Sequence, residues 1–392
     1  MEVIWLLGKL TPDFKTIADF RKDNLKPLRA VARQFTLLCR KLELFGGELL
    51  AIDGSKFGAV NARDQNFNAA KLQDLMARAD ARLAEYLKEL DTADASEPEG
   101  AVVSKTQLEQ KIAALREKQD WHAELLAQLD DEQKQVSATD PDTRKMPTAH
   151  GMMVGYNAQM AVDAKHKLIA ADDVTNEVTD FKQLANVAIT AKTNLELKQA
   201  DVVADAGYYN AAEVSRCAEQ GLTAYVPKAD TSANTARGLY GKSRFRYDEK
   251  KDVYVCPAGA ELTHRFNTYE LGREIRYYQA SGCRSCALKK QCTRNKANRR
   301  ITREENEGLM EAMAARMQAQ PEKFKLRKTL AEHPFGTIKR WFGYTHFLLK
   351  GLEKVRCEWS LTTLAYNLKR VLNLVSFEKL MAAVGVKVPQ RA

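Results

Sequence analysis

Two short apolar segments, far apart in the chain, each end in an aspartate with a glycine close behind, and this pattern most constrains the fold. The first spans residues 49–52 and ends at Asp53, and the second spans residues 202–204 and ends at Asp205. Short apolar strands that alternate with helical segments are typical of an α/β layer, in which strands distant in sequence lie side by side. If these two strands are neighbours, their terminal carboxylates project next to each other.

The rest of the chain is predicted to be mostly helical, with two insertions. Residues 155–175 resemble two paired strands around a turn at 163–167. Prolines at positions 321 and 334 are expected to interrupt the late helices. The expected divisions are an N-terminal helical segment (1–47), an α/β core (48–68 and 138–229), a helical hairpin insertion with coiled-coil-like spacing (69–137), a cysteine-containing insertion (230–305) and a C-terminal helical part (306–380). The cysteine-containing insertion is expected to be irregular with hairpins, one strand of which is VYV at 253–255.

Composition favours a polyanionic partner. The 392 residues are 45% hydrophobic, enough for a sizeable core, and the formal net charge is +10. Lys and Arg in excess neutralise phosphates, although a merely basic soluble enzyme fits the charge equally well. Nothing approaches the ~18 consecutive apolar residues of a membrane span. The chain has seven cysteines, which is an odd number, and four of them cluster late in the sequence. This distribution indicates reduced thiols. We therefore expect a cytoplasmic protein without a membrane partner.

The paired aspartates are typical of phosphodiester chemistry, although spacing alone leaves another explanation open. Such chemistry needs charge neutralisation at the attacking and the leaving oxygen, which two Mg²⁺ ions roughly 4 Å apart provide. Mg²⁺ prefers carboxylate, phosphate and water oxygens, so a few converging acids suffice. Aspartate after a strand is also a common turn or helix cap.

Seven segments together give a specific resemblance that covers almost the whole chain. They are EVIWLLG, PDFKTIADFRKDN, AIDGSKF, YNAQMAVD, ADAGYYN, EHPFGTIKRW and LAYNLKR. With these segments the sequence resembles the DDE transposases of bacterial insertion sequences, in the group with a four-cysteine insertion before the catalytic Glu. The resemblance implies an RNase H-like mixed sheet flanked by helices. It also implies Asp53, Asp205 and Glu332 as catalytic residues that bind Mg²⁺ or Mn²⁺.

A Tyr–Arg–Glu–Lys signature surrounds the glutamate in that family, and this chain matches it in part. Lys339 follows Glu332 at the expected seven residues. Arg327 lies five residues before it, one farther than usual, and Phe324 stands where Tyr is common. On a helix, Glu332 and Lys339 share a face. This fits an acid on a metal beside a lysine on a DNA phosphate, and equally an ordinary surface pair.

Four cysteines predict a structural zinc site, with four reduced thiols as the alternative. They are Cys256, Cys283, Cys286 and Cys292, which include a CxxC pair. A tetrahedral Cys₄ site closes small domains that lack a large core. The gap between Cys286 and Cys292 is longer than the usual two to four residues. The zinc would be structural, because catalysis by acids calls for hard oxygen ligands.

Two basic stretches flank the expected active site in sequence and favour contact with DNA, with a solvated basic face as the alternative. The residues expected at phosphates are Lys289, Lys290, Arg299, Arg300, Arg327, Lys339 and Arg340. Trp341 sits among them and suits stacking on an unpaired base, although such aromatics more often belong to a core. The expected partners are transposon ends and target DNA, held by a homodimer.

The predicted function is therefore metal-dependent strand cleavage at transposon ends followed by strand transfer into target DNA. Two other functions fit the sequence. Met1 directly precedes EVIWLLG, whereas relatives carry more helical sequence there, so an N-terminally truncated, inactive DNA-binding remnant is one of them. An RNase H-like nuclease without strand transfer is the other.

Overall fold

The computed structural model describes residues 10–61, 65–95, 101–129, 135–149, 151–228, 233–270 and 273–385. The EVIWLLG segment lies outside these described residues, as does part of the acidic link expected within the helical hairpin. No helix in the described part of the chain is long and apolar enough to cross a membrane.

Helices and strands alternate through the first half of the chain and give way to a second sheet and then to helices. The helices are α1 (Phe14–Asp23), α2 (Leu25–Lys41), α3 (Ala69–Ala95), α4 (Ala101–Ala127), α5 (Leu184–Leu195), α6 (Ala211–Glu219), α7 (Ala233–Ala236), α8 (Lys289–Cys292), α9 (Glu307–Ala319), α10 (Pro321–Gly336), α11 (Leu352–Leu372) and α12 (Phe377–Ala383). The strands are β1 (Leu49–Gly58), β2 (Asn66–Phe67), β3 (Val136–Ser137), β4 (Arg144–Thr148), β5 (Gly151–Asp163), β6 (Ile169–Thr175), β7 (Ala200–Val203), β8 (Leu222–Tyr225), β9 (Arg246–Asp248), β10 (Val253–Val255), β11 (Glu261–Glu270), β12 (Arg273–Ala280) and β13 (Arg300–Glu304).

The first sheet is mixed, with β1 at its centre. On one side β1 pairs antiparallel with β5, and on the other it pairs parallel with β7, which pairs parallel with β8. The far edge of β5 pairs antiparallel with β4 along one half and with β6 along the other. The α/β layer and the antiparallel strand pair around residues 163–167 are thereby confirmed, and two strands about 150 residues apart in sequence lie side by side.

Alternating side chains on β1 face two different cores, because successive residues of a strand point to opposite faces. Leu50 and Ile52 pack into a core that also contains α5, α6 and the methionines of α9. Leu49 and Ala51 pack instead against Leu330 and Ala331 of α10. Helices therefore cover both faces of the sheet, and Asp53 shares the face that α10 covers.

Further along β1, the same face as Asp53 carries an aromatic core. Phe57 lies with its ring centroid 5.0 Å from that of Trp359 on α11 and 6.3 Å from that of Phe335 on α10. The Trp359 indole N–H donates to the carbonyl oxygen of Gln159 on β5 at 3.2 Å. These contacts fix α10 and α11 against the sheet.

The predicted helical hairpin is present as α3 and α4. The short strands β2 and β3 pair at its base. Leu72 and Leu125 form a small buried core there with Phe67 and Val136. Higher up, the Gln119 amide donates to the Asp80 carboxylate across the two arms.

Residues 246–304 form a five-stranded antiparallel sheet, in the order β13-β12-β11-β10-β9, where the sequence predicted irregular structure with hairpins. This sheet buries only one face, so each strand contributes few apolar residues. Its core includes Tyr254, Leu262, Tyr278 and Ile301. Nearly all other positions of β11 are exposed or half-buried, which hides the strand from a search for apolar runs.

Pro334 does not interrupt its helix, contrary to expectation. It lies inside α10, which continues to Gly336 and then opens into a π-helical turn, Thr337–Trp341. A proline has no N–H to donate to the preceding turn, and a wider turn accommodates the lost hydrogen bond. The helix does break before Pro321, as predicted.

Candidate active site

Asp53 and Asp205 lie at neighbouring strand positions on the first sheet. The parallel register pairs Ala51 with Val203, so the two aspartates follow at matching positions. Asp205 follows the end of β7, as predicted, whereas Asp53 lies within β1, which continues to Gly58 through its antiparallel pairing with β5. Each carboxylate accepts a hydrogen bond from the amide of a glycine just after it. Gly54 donates to Asp53 Oδ1 at 2.9 Å, and Gly207 donates to Asp205 Oδ1 at 2.8 Å. The strand–aspartate–glycine pattern therefore gives two similarly held carboxylates.

The Asp53 carboxylate is held in an environment that disfavours its charge. Burial raises its pKa to about 6, the nearby Arg327 opposes that shift, and the charges of Asp205 and Asp180 add to it. The side chain of Asp53 is 16% exposed, and an Arg327 Nη1 lies 3.5 Å from its Oδ2. This is the behaviour expected of acids gathered at one point in a partly dry site.

Asp180 is a third acid at this centre, and sequence analysis missed it. Its Oδ1 accepts hydrogen bonds from the side-chain amides of Asn157 and Gln159, both at 2.7 Å. Lys56 Nζ lies 3.7 Å from the same oxygen. Asn157 and Gln159 are fully buried polar residues two apart on β5. Such residues on one face of an otherwise apolar strand need polar partners, and this was the available signal.

Gly54 leaves the space that this arrangement needs. A Cβ at position 54 would lie 2.2 Å from Gln159 Nε2 and 2.6 Å from Asp180 Oδ1. Any other residue would therefore displace the groups around Asp180. A glycine is required after Asp53 because the side chains of Gln159 and Asp180 approach the backbone closely at this position.

Helix α10 brings the signature residues to β1 in different ways. Arg327 reaches Asp53, as described above. Lys339 Nζ, in the π-helical turn, donates to Ser55 Oγ at 2.6 Å and to the Lys56 carbonyl oxygen at 3.0 Å. Its ammonium also lies 4.5 Å from the centroid of the Phe57 ring. Both basic residues are thus engaged with β1 in this structure.

Glu332 is exposed, and within the described part of the chain no hydrogen bond or ion pair joins it to Asp53 or Asp205. It lies between Arg327 and Lys339 on α10, the helix that packs on β1. The described residues contain no group of three or more His, Cys, Asp or Glu side chains arranged to hold a metal ion. The structure therefore brings the two aspartates together and leaves the glutamate at the flank.

The carboxylate oxygens at this site are of the kind that a hard divalent cation prefers, but the three predicted acids do not meet at one point among the described residues. Asp53 and Asp205 offer carboxylate oxygens from adjacent strands, and Asp180 stands behind them. Oxygen ligands of this kind suit Mg²⁺ or Mn²⁺. Two of the three expected ligands are in place, and the third requires movement of the Glu332 side chain.

Comparison with known proteins finds a family match for one segment of the chain. Residues 255–372 match a family model described as a transposase DDE domain. The matched segment includes Glu332, Lys339 and the four clustered cysteines, and it begins after both aspartates. No curated protein matches the chain.

One solved structure shows a distant likeness to the chain. It is the cryo-EM structure of the piggyBac transposase synaptic complex with hairpin DNA, at 11% sequence identity and a TM-score of 0.24. The match covers 62% of this chain and 47% of that one, so the chain spans less than half of that protein's length. A TM-score this low does not establish a shared fold.

Within the segment that matches the family model, the four predicted zinc ligands line one cavity of about 50 Å³. Cys256, Cys283, Cys286 and Cys292 are half-buried free thiols. Burial raises the pKa of Cys292, Arg299 opposes this, and the other three thiols add to it. The thiols are therefore close enough to influence one another, although they do not form a ready metal-holding group among the described residues.

The predicted DNA contacts divide into exposed and buried residues. Lys290, Arg300 and Arg340 are exposed, and Lys289 is half-buried with its ammonium donating to the Lys296 carbonyl oxygen at 3.0 Å. Arg299 corrects the sequence-based expectation. It is 7% exposed, and its guanidinium donates to the carbonyl oxygens of Tyr240 and Cys292. Arg299 therefore supports the cysteine cavity and is not available to a phosphate.

Proposed function

We propose that this chain is a DDE transposase of the bacterial insertion-sequence type that cleaves DNA at transposon ends and joins the ends to target DNA. The observation that carries the proposal is the pair of carboxylates, Asp53 and Asp205, at matching positions along adjacent strands, on the sheet face covered by a helix of the segment that matches the transposase DDE domain model. The strand order, with β6, β5 and β1 antiparallel and β1, β7 and β8 parallel, supports an RNase H-like core.

Asp53, Asp205 and Glu332 would hold Mg²⁺ or Mn²⁺ in this site. A divalent cation, when bound, supplies charge neutralisation at the attacking and leaving oxygens of the phosphodiester. The two aspartates present their oxygens from a rigid sheet, which favours a fixed geometry. Glu332 would join them by turning inward from its exposed position on α10.

Basic residues around this centre would hold the DNA backbone. Arg327 balances the charge of Asp53 within the protein and would shift to a phosphate when a cation takes over that role. Lys339 would likewise exchange its bonds to β1 for a phosphate. Lys289, Lys290, Arg300 and Arg340 would add contacts further out, and a homodimer would hold the two transposon ends together.

The cysteine-lined cavity would hold a structural zinc ion. Its four thiols come from one small sheet with a limited core, the setting in which Cys₄ zinc sites stabilise a fold. Zinc would bind the thiolates in place of the present free thiols and draw the loops around Cys256 and Cys286 together.

The function is tested by incubating the protein with DNA from the flanks of its gene and Mg²⁺, and measuring nicks and joined products. We expect Asp53→Asn, Asp205→Asn and Glu332→Gln each to lower cleavage at least ~100-fold, because oriented charge at the reacting oxygens is lost. The matched control is Asp173→Asn, whose carboxylate pairs with Arg356 at 3.0 Å and lies on β6, which β5 separates from the strand of Asp53. Undiminished cleavage by Asp205→Asn would refute the proposal.

The same assay separates the two other functions. Nicks without joined products, on any DNA sequence, would indicate a nuclease. Salt-sensitive DNA binding without nicks would indicate an inactive remnant.

A further inference from the structure

Lys56 is a buried cation that the proposed chemistry does not use. It follows Asp53 by three residues on β1, and its side chain is 17% exposed. Its ammonium is enclosed and makes no hydrogen bond within the described residues. Burial lowers the pKa of Lys56, and the carboxylates of Asp180 and Asp205 oppose this shift. A buried ammonium of this kind needs nearby negative charge.

Asp180 connects three separate parts of the acidic centre. Its Oδ1 accepts from Asn157 and Gln159 on β5 and faces Lys56 on β1. The Gln159 side-chain oxygen in turn accepts a hydrogen bond from the Tyr208 hydroxyl. Tyr208 ends the 3₁₀ turn that Asp205 caps. One network therefore links the strand of Asp53, the strand beside it and the turn of Asp205.

The fixed position of the Asp180 carboxylate follows from its neighbours. A Cβ at Gly207 would lie 3.0 Å from Asp205 Oδ1 and 3.8 Å from Asp180 Oδ2, so the two carboxylates approach each other there. A Cβ at Gly54 would meet Asp180 Oδ1. The glycine after Asp53 thus makes room for the Asp180 side chain, and Gly207 after Asp205 lies within van der Waals distance of the same side chain.

We propose that Asp180 and Lys56 act as a positioning pair that sets how the two aspartates face each other. Asp180 anchors the network, and Lys56 balances its charge so that it does not compete with Asp53 and Asp205 for a cation. This inference rests on the proposed function, since it assigns these two residues a task in the same site.

The test is a double-mutant cycle with Asp180→Asn, Lys56→Met and the double variant. Asn keeps an oxygen that accepts from Asn157 and Gln159, so Asp180→Asn removes only charge. The full-length protein is used, and Mn²⁺ binding is followed by the electron paramagnetic resonance of free Mn²⁺. Cleavage of flanking DNA at saturating Mg²⁺ is the second measurement, and thermal unfolding checks that each variant folds.

We expect Asp180→Asn to weaken Mn²⁺ binding about tenfold, because an unbalanced Lys56 ammonium then faces the aspartates. We expect Lys56→Met to keep or strengthen Mn²⁺ binding while cleavage falls about tenfold, because the unbalanced Asp180 draws the ion out of position. The double variant should return to within about threefold of the unmodified protein in both measurements. Contacting residues that act as a unit give such non-additive effects.

Other results overturn the inference. Unchanged binding and cleavage in both single variants would do so, as would losses that multiply in the double variant. The control pair Asp173→Asn and Arg356→Met removes a comparable ion pair and should change neither measurement. If Mn²⁺ binding depends on Asp53 but no cleavage occurs, the transposase function is refuted and the positioning pair is not. The Mn²⁺ affinities of the variants then decide whether the positioning pair exists. Absence of Mn²⁺ binding would refute both.

Discussion

Asp53 carries its charge at a cost in the metal-free protein. Its pKa in the folded protein is about 6, raised by burial from an ordinary 3.8. The folded state therefore binds the proton more tightly than the unfolded chain. Stability is greatest below about pH 4, falls as the pH rises toward 6, and is then constant. A shift of this size corresponds to at most about 3 kcal/mol, part of which the Arg327 contact already reflects.

Replacing this carboxylate should therefore stabilise the protein at neutral and alkaline pH. We expect Asp53→Asn to raise the free energy of unfolding by about 1–2 kcal/mol at pH 8 in the presence of EDTA. The gain should shrink as the pH is lowered and vanish at about pH 3, below the ordinary pKa of 3.8, where Asp53 is mostly protonated in both states. Chemical denaturation at the two pH values measures this, with Asp173→Asn as the control. A variant less stable than the original at pH 8 would show that the ion pair with Arg327 outweighs burial.

Single residues differ in how well the sequence reveals them. The neighbouring positions of Asp53 and Asp205 were foreseeable because each follows a short apolar run that predicts a buried strand. The prediction that a strand ends at Asp53 was wrong, because pairing with β5 extends β1 to Gly58 through less apolar residues. Asp180 was not, since it lies in a loop before α5 and acquires its role only through Asn157 and Gln159. The inward or outward direction of Glu332 depends on how α10 rests on β1, which no local pattern encodes.

Helices and strands with a regular repeat of apolar residues were predictable. Elements that bury only a few side chains on one face were harder to predict. The hairpin of α3 and α4 and the central strands follow directly from apolar spacing. Hairpins were predicted in the region of β9 to β13, including the strand at 253–255, but not their union into one sheet, because its core draws one or two apolar residues from each strand. Pro334 inside α10 was also missed, because the neighbouring π-helical turn absorbs what would otherwise be a break.

The small core of this second sheet leads to a prediction about zinc. We expect protein purified without chelators to contain about one zinc per chain, measured by elemental analysis. Cys283→Ser and Cys286→Ser should lose the metal and destabilise the protein, because Cys₄ zinc contributes directly to folding. Ser285→Ala, in the same 3₁₀ turn, should retain it. If the protein is purified without metal and is equally stable, the zinc prediction is wrong and the cavity contains four reduced thiols.

At the scale of the molecule, charge and topology agree on a large anionic substrate. The chain has 61 Lys and Arg against 51 Asp and Glu. The mixed sheet gathers acids at one point, and Lys290, Arg300 and Arg340 are exposed in the later segments. An enzyme that acts on phosphodiesters needs both features, because the acids must be close to an anion that the rest of the surface attracts.

The salt dependence of DNA binding measures how many of these cations contact phosphate. We expect log Kd to rise linearly with log salt concentration, and each lost phosphate contact to reduce the slope by about 0.9. The triple variant Lys290→Ala, Arg300→Ala, Arg340→Ala should therefore lower the slope by about 2–3. Lys251→Ala is the matched control, since Lys251 pairs with Glu261 at 3.1 Å and is already neutralised. An unchanged slope in the triple variant would show that these three residues do not contact phosphate and that the DNA binds another face. The hairpin of α3 and α4 would be the next surface to test.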